Sequence, residues 1–130
     1  MRMRPLLLTT ALWLALLPAA AAAASDCGLH EYRARIVRVV DGDTVEADVA
    51  LGFNTWRRGE RLRLVGIDAP EPRGETRAAG ERATDALRRR IEGRELVICT
   101  VADRADSFGR YLVRIYDGAE AVNDWLIEKG

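Results

Sequence analysis

The order of strand-like and helix-like segments is the feature that most constrains what this chain can fold into. Residues 35–40 are rich in valine and lead into Asp41-Gly42, a common turn pair, after which residues 44–50 form a second strand-like run. These two runs predict a β-hairpin. A longer connection, residues 51–59, then leads to a third predicted strand at residues 61–67.

Alternation along the third strand separates two kinds of side chain. Leu62 and Leu64 fall on one side, and Arg61 and Arg63 fall on the other. Because successive side chains of a strand point to opposite faces, we expect the two leucines in the core. The same alternation places Arg63 on the outer surface of the sheet.

The second half of the chain adds a helix, two strands and a final helix. Apolar residues recur at three- and four-residue spacings across residues 76–92, and Gly93 follows as a stop signal. Residues 95–101 and 109–116 have the pattern of strands, and residues 119–129 that of a helix. Three strands, a helix and two more strands is the order of a five-stranded Greek-key barrel of the OB-fold type. One helix then lies between strands three and four, and the other at the C-terminal end.

The first 24 residues have the pattern of a secretory signal peptide. Two arginines precede an apolar run, and six alanines supply the small residues for cleavage between Ala24 and Ser25. A membrane anchor is the alternative, but the apolar core is short for a bilayer span. We therefore predict a leader at residues 1–24 and one domain at residues 25–130. The protein would be exported to the periplasm or the medium, with no membrane attachment after cleavage.

Removal of this leader leaves a slightly acidic chain. The full sequence has 20 basic and 20 acidic side chains, and the leader takes away two arginines and no acids, leaving 18 against 20 and a net charge of −2. This balance excludes a general basic coat for nucleic acid. Lys129 is the only lysine. Attraction to phosphate must therefore be local and must come from arginines or a bound cation.

The cysteines Cys27 and Cys99 can form a disulfide in an exported protein. The alternative is a buried Cys99 and a free Cys27, because the sequence does not supply the separation of their Cα atoms. His30 is the only histidine, so the residues offer no cysteine–histidine cluster for zinc.

Three short segments combine acids with arginines. They are Asp-Gly-Asp-Thr at residues 41–44, the run from Arg63 to Asp-Ala-Pro-Glu at residues 68–71, and Ser-Phe-Gly-Arg at residues 107–110. Aspartates offer hard oxygen ligands to a divalent cation, a further glutamate can take a proton from water, and guanidinium groups meet the charge on phosphoryl oxygens. Hydrolysis of a phosphodiester requires this inventory.

Each segment also has a plainer interpretation. Residues 41–44 form a good hairpin turn without any further role. The acids Asp68 and Glu71 follow a strand, where a solvated loop is ordinary. Arg110 could simply pair with Asp106 on the surface.

Two aromatic residues, Phe108 and Trp56, are candidates for stacking on a base. Phe108 is the better candidate because it stands two positions before Arg110. Packing in the core is the alternative for both rings.

The three segments, in this order, resemble the motifs of the thermonuclease, or staphylococcal nuclease, family. The resemblance extends from about Arg33 to Gly130. It implies an OB-fold barrel, calcium as the cofactor, and a nuclease that hydrolyses DNA and RNA with little sequence preference. Single-stranded or flexible substrates and products with 3′-phosphate ends are also implied.

The resemblance further implies a role for seven residues of this sequence. Calcium is held by side-chain and backbone oxygens with a supporting acid nearby, a glutamate is the general base, and two arginines clamp the phosphate. In that order, the residues are Asp43, Asp68 and the backbone carbonyl of Ala69 as ligands, Asp41 as the supporting acid, Glu71 as the base, and Arg63 and Arg110 as the clamps.

The sequence departs from the family pattern in three places. The connection at residues 53–56 is longer, the loop at residues 72–80 is shorter, and the sequence ends at Gly130 where relatives continue. We expect a monomer with a shortened C-terminus. A noncatalytic OB-fold module for single-stranded nucleic acid or a protein partner is one alternative, and a truncated, poorly folded product is another. Retention of the acids and arginines together favours the enzyme.

Overall fold

A computed structural model describes residues 27–129, so the predicted leader lies outside the described residues. Within this range, no helix combines the length and apolar character needed to span a membrane. In chain order, the elements are a 3-10 turn (Gly28–His30), β1 (Glu31–Asp41), β2 (Thr44–Gly52), β3 (Thr55–Leu64), a second 3-10 turn (Gly74–Thr76), α1 (Arg77–Ile91), β4 (Glu95–Ala105), β5 (Tyr111–Asp117), β6 (Glu120–Ala121) and α2 (Val122–Lys129).

The strands form one sheet that closes into a barrel. Their order is β3-β2-β1-β4-β5-β6 with antiparallel neighbours, and β3 also pairs in parallel with β5 from Leu62↔Tyr111 to Leu64↔Val113. The predicted fold class is confirmed, with α1 between β3 and β4 and α2 after the strands. The structure adds β6, a two-residue strand that pairs with β5.

The core is built from the inward residues of every barrel strand and from one side of α1. The predicted alternation of the third strand is confirmed, because Leu62 and Leu64 are buried while Arg63 lies on the other face. Leu87 and Ile91 of α1 are fully buried in the same cluster. Burial of each such side chain contributes roughly 1.5–3 kcal/mol relative to exposure.

The third strand is longer and earlier than predicted. It begins at Thr55 and ends at Leu64, so most of the predicted connection at residues 51–59 is strand. Phe53 and Asn54 form a tight two-residue turn with φ of 49° and 58°, and Gly59 has φ of 66°. Register shifts between β2 and β3 interrupt the period-two pattern, which is why the sequence did not reveal this pairing.

A disulfide joins the N-terminal part of the described chain to the barrel. Cys27 and Cys99 are bonded, with their Cα atoms 5.5 Å apart, so the free-cysteine alternative is excluded in this structure. The bond closes a loop of 72 residues. In the chain-entropy model, a loop of that length corresponds to about 4 kcal/mol of stabilisation.

Candidate active site

The turn between β1 and β2 carries the first two acids of the site. The backbone N–H of Asp43 donates to Oδ1 of Asp41 at 3.0 Å, and the carbonyl of Asp43 accepts from the N–H of Leu64 at 2.8 Å. Only 8 % of Asp43 is exposed. The turn is therefore held both by its own aspartate and by the end of β3.

Gly42 allows the second acidic segment to approach this turn. A Cβ atom built on Gly42 would lie 2.7 Å from the Cβ of Ala69 and 2.9 Å from the Cβ of Ala83. Both distances are shorter than a normal carbon–carbon contact. The absence of a side chain at Gly42 thus lets the loop after β3, together with α1, pack directly on the acidic turn.

Arg63 and Asp43 form an ion pair across β2 and β3. Thr44 lies opposite Arg63 in the register of β2 and β3. Asp43 directly precedes Thr44, so this register brings Asp43 next to Arg63. Nη2 of Arg63 also donates to the carbonyl of Ile67 at 3.0 Å. The arginine side chain is 22 % exposed and the aspartate side chain 11 %, so water screens this pair only partly.

The electrostatics of the turn follow from this pairing. Burial alone would raise the pKa of Asp43, but hydrogen bonds, first of all from Arg63, outweigh burial and bring the pKa below its ordinary value. The pKa of Asp41 is raised, first by burial and then by its neighbour Asp43. The pKa of Arg63 is raised by its hydrogen bond with Asp43, and the charges of Asp41 and Asp68 add to this effect. The turn therefore contains two close carboxylates, of which Asp43 pairs with Arg63 directly and Asp41 acts on it through its charge.

Thr44 connects Arg63 and its acid to the second arginine. Its hydroxyl donates to Oδ1 of Asp43 at 2.9 Å and accepts from Nη1 of Arg110 at 3.2 Å. Arg110 also donates through Nε to Asp106 at 2.8 Å. The surface pair that sequence offered as the plainer interpretation of Arg110 is therefore present, and it coexists with contact to the acidic turn. Sequence reasoning gave Thr44 no role, although its place in the Asp-Gly-Asp-Thr segment was the available signal.

The two aromatic candidates have different surroundings. The Phe108 side chain is exposed, and the guanidinium of Arg110 lies 5.2 Å from its ring centroid. Trp56 is half-buried near the other end of β3, where Arg33 and Arg58 lie 5.5 and 5.0 Å from its ring. Of the two rings, only Phe108 is adjacent to one of the two candidate phosphate-binding arginines, Arg110.

Glu71 has a fixed backbone and an exposed side chain. A Cβ built on Gly80 of α1 would lie 2.6 Å from the carbonyl carbon of Glu71, and the hydroxyl of Thr76 donates to the Glu71 carbonyl at 2.8 Å. The carboxylate itself is 3.5 Å from Nη2 of Arg73, and the side chain is 72 % exposed. The loop is thus anchored, while the carboxylate reaches into solvent.

Asp68 and Ala69 lie in the connection after β3, between Arg63 and Glu71 in the sequence. Both line a shallow pocket of about 180 Å³, which they share with Gly42 and with Leu126 and Ile127 of α2. Asp68 is exposed, and its charge acts on Arg63 as described above.

Among residues 27–129, no three acids of the site have their side-chain oxygens within 4.8 Å of one another. The only group of three or more potential side-chain ligands within 4.8 Å consists of Cys27, Glu31 and Cys99, and both cysteines are in the disulfide. The site thus has a tightly bonded part at Asp41, Asp43, Thr44, Arg63 and Arg110, and a loop part at residues 68–71. Its oxygen donors are nevertheless of the hard type that calcium takes in proteins.

Comparison with known proteins identifies a family and several relatives for this sequence. The family model described as "Staphylococcal nuclease homologue" matches residues 61–130, which is more than half of the chain. The sequence is 27% identical over 104 residues to a protein named "Thermonuclease" from Staphylococcus hyicus, covering 78% of this chain and 58% of that protein. It is 34% identical over 102 residues to an "Uncharacterized endonuclease" of Escherichia coli, covering 77% and 59%.

A third relative is "Protein ParB" of Escherichia coli, 36% identical over 90 residues, covering 69% of this chain and 45% of that protein. The chain thus spans well under two thirds of the length of these curated relatives. The family model covers β3 from Arg61 through α2, and the barrel has the predicted architecture. This chain belongs to the staphylococcal nuclease family.

Proposed function

We propose that this protein is a calcium-dependent nuclease that hydrolyses phosphodiester bonds of DNA and RNA with little sequence specificity. The observation that carries the proposal is the bridge made by Thr44. Its hydroxyl links the buried carboxylate of Asp43, which also pairs with Arg63, to the guanidinium of Arg110. The guanidinium groups of Arg63 and Arg110 therefore both lie at the acidic turn. There they can bind the two exposed oxygens of one phosphoryl group.

The oxygen donors that would hold the cation come from both parts of the site. We assign the side chains of Asp43 and Asp68 and the backbone carbonyl of Ala69 as ligands, with Asp41 as a supporting acid. When bound, calcium supplies positive charge against the phosphoryl oxygens. The close approach at Gly42 supports this assignment, because it brings the loop of Asp68 against the turn of Asp43.

The two arginines bind the phosphoryl group and stabilise the charge that develops on it. Both guanidinium groups are occupied by carboxylates in this structure, Arg63 by Asp43 and Arg110 by Asp106. A substrate phosphate competes for the same fork of N–H donors, which matches phosphate as well as it matches carboxylate. The carboxylates thus hold the arginines in position before substrate arrives.

Glu71 is the proposed general base. Its carboxylate takes a proton from water while the water oxygen attacks phosphorus, and the bond from phosphorus to the 5′ oxygen breaks. The leaving oxygen takes a proton from solvent, so the products are a 3′-phosphate and a 5′-hydroxyl. The Glu71 side chain must turn from Arg73 toward the turn, and the backbone anchors at Gly80 and Thr76 keep this movement local.

Export, flexible or single-stranded substrates and a monomeric state complete the proposal. The disulfide between Cys27 and Cys99 supports export, because such bonds persist in oxidising compartments. The exposed ring of Phe108 beside Arg110 supports substrates whose bases are accessible for stacking.

The test is an assay of the full chain on single-stranded DNA and on RNA, with calcium and then with excess chelator. We expect cleavage with calcium, none with chelator, and products that accept a 5′ label without phosphatase treatment. Magnesium should support little activity, because it needs a tight octahedral site and gives up its waters reluctantly. Full cleavage in excess chelator would contradict the proposal.

A second candidate is a noncatalytic module that binds single strands. The observation that favours it is the position of Glu71, whose carboxylate pairs with Arg73 and points into solvent. This candidate predicts binding of an oligonucleotide without cleavage under every metal condition. The same assay therefore separates the two functions.

A further inference from the structure

The outer face of β1, β2 and β3 continues from Arg63 away from the acidic turn, and it carries a concentration of arginines. Thr44 and Arg63 are opposite each other at one end of this face, and Ala50 and Trp56 are opposite each other at the other end. Trp56 and Arg63 are seven positions apart in β3, which corresponds to roughly 20 Å along a strand. Between them stand outward arginines of two strands: Arg33, Arg35 and Arg38 from β1, and Arg58 and Arg61 from β3.

The five arginines of this face outnumber its acids only narrowly, since Glu31, Glu46 and Asp48 stand on the same strands and Glu95 on β4. Arg38 pairs with Glu46 at 2.9 Å and Arg33 with Glu95 at 3.0 Å. Arg61 stands opposite Glu46 in the register of β2 and β3, and Glu46 already pairs with Arg38. Since the whole sequence has equal numbers of basic and acidic residues, this excess is a local property of the face.

One acid on the face serves two arginines. Nη1 of Arg58 lies 2.9 Å from Asp48. The pKa of Asp48 is lowered, first by a hydrogen bond from the N–H of Gly59, then by Arg58, and also by the charge of Arg35. Two guanidinium groups thus depend on a single carboxylate, and they retain N–H donors for another anion.

Trp56 holds two of these arginines at the far end. The guanidinium carbons of Arg33 and Arg58 lie 5.5 and 5.0 Å from the centroid of its ring. Stacking on an aromatic ring fixes the plane of a guanidinium and leaves its N–H edge available. Both arginine side chains are more than 60 % exposed, and each keeps N–H donors beyond the one that meets its carboxylate.

We infer that the arginine face is a track for the phosphates of a single-stranded nucleic acid whose scissile phosphate lies at Arg63 and Arg110. Trp56 acts by positioning Arg33 and Arg58. The inference rests on the proposed function for the direction of the strand, because it extends the substrate beyond the reacting phosphate. The arginine face is continuous with the proposed site at Arg63. This continuity favours a nucleic acid, whose phosphates can extend from the site, over an anionic membrane.

The test compares binding of a long and a short oligonucleotide. Anisotropy of labelled (dT)12 and (dT)2 is measured on the full chain carrying Glu71→Gln, with chelator present so that the strand stays intact. At the 3.4 Å rise of stacked DNA, about six nucleotides cover the roughly 20 Å face, so (dT)12 spans it and (dT)2 does not.

The informative variant is Arg33→Gln with Arg58→Gln. We expect it to weaken (dT)12 binding by about tenfold and to leave (dT)2 binding unchanged. The slope of log K against log salt should fall by about 1.4, the value for loss of two phosphate contacts on a single strand. The matched control is Arg89→Gln with Lys129→Gln, which removes two cations from the surface around the other described tryptophan, Trp125.

A second pair of variants tests the role of Trp56. Trp56→Leu removes the aromatic platform and should weaken (dT)12 binding about threefold, whereas Trp56→Phe keeps a ring and should restore most of the affinity. Thermal melts of both variants test whether the barrel is intact. A loss in Trp56→Leu that Trp56→Phe does not recover would contradict the positioning role.

Failure of the track and failure of the nuclease proposal give different results. If wild-type protein cuts DNA with calcium but the Arg33/Arg58 variant binds (dT)12 with unchanged affinity and salt slope, the track is wrong and the nuclease stands. If wild-type protein binds (dT)12 through these arginines but never cuts, the nuclease is wrong and the track stands. Equal losses in the variant and its Arg89/Lys129 control would also overturn the track, because general charge would then explain the binding.

Discussion

The acidic turn and the acidic loop contribute comparable side chains to the site, yet the fold treats them differently. Asp43 in the turn is buried and bonded to Arg63 and Thr44. Glu71 in the loop is exposed, and its carboxylate contacts Arg73. The barrel therefore prepares in advance the half of the site that is proposed to bind phosphate, which contains Arg63 and Arg110. The proposed base is held only through its backbone, so its side chain must move before it can act.

The largest expected effect is the loss of activity on replacing either arginine of the prepared half, Arg63 or Arg110. Arg63→Lys and Arg110→Lys should each lose at least about 3 kcal/mol of transition-state stabilisation, because an ammonium cannot make the bidentate contacts of a guanidinium. The value comes from kcat/KM on single-stranded DNA at one salt concentration.

The control for this prediction is the triple change of Arg88, Arg89 and Arg90 to lysine, which keeps charge on α1 and should alter the rate little. Equal losses in all three proteins would mean that general electrostatics, and not a clamp, explains the arginines. The double variant Arg63→Lys with Arg110→Lys should fall short of additivity if both hold one phosphoryl group.

The second prediction concerns the catalytic role of the acidic loop alone, and so tests the difference between the loop and the turn. Glu71→Gln should lower kcat by about a hundredfold, because an amide cannot accept the proton from water. The thermal midpoint should stay unchanged, as the side chain is exposed. Glu75→Gln, an exposed neighbour in the same connection, is the matched control and should keep native activity. Native cleavage by Glu71→Gln would place water activation elsewhere.

A third prediction compares the stability of the two halves directly. Asp43→Ala leaves the partly buried Arg63 without its partner and should cost about 2 kcal/mol of unfolding free energy, less than a fully buried pair would. Asp68→Ala removes an exposed carboxylate and should stay within about 0.5 kcal/mol of wild type. Urea denaturation of both variants measures these values. Similar costs would break the distinction between a prepared turn and a solvated loop.

The smallest expected effect is a pH dependence in the prepared half. Hydrogen bonds from Arg110 and Phe108 outweigh burial and lower the pKa of Asp106. Because the folded pKa is depressed, the stabilisation is present above the unfolded pKa and is lost as pH falls through the folded value. The difference in thermal midpoint between wild type and Asp106→Asn should therefore be present at pH 7 and disappear in acid, below the ordinary aspartate pKa of 3.8. A difference that persists at the lowest pH would assign the effect to packing.

Prediction of the fold from sequence succeeded where the signal was local and failed where it was not. The alternation of Leu62 and Leu64 with Arg61 and Arg63 needs only neighbouring residues, and the structure confirms it. The early start of β3 at Thr55 was missed, because register shifts against β2 interrupt the alternation and the turn at Phe53-Asn54 lacks glycine. Phe53 at positive φ is uncommon in turns of this kind, where asparagine and glycine are preferred.

The sequence by itself determined the chemical inventory of this protein and the order of its elements. Periodicity and turn residues act within a few positions, so they specified the barrel order, and the spacing of acids and arginines identified the motifs. The tertiary structure alone decided which of these groups meet. Contact between Thr44 and Arg110, 66 residues apart, and the approach of Ala69 to Gly42 depend on strand register and barrel closure. Those are set by the whole core together, and no short stretch of sequence encodes them.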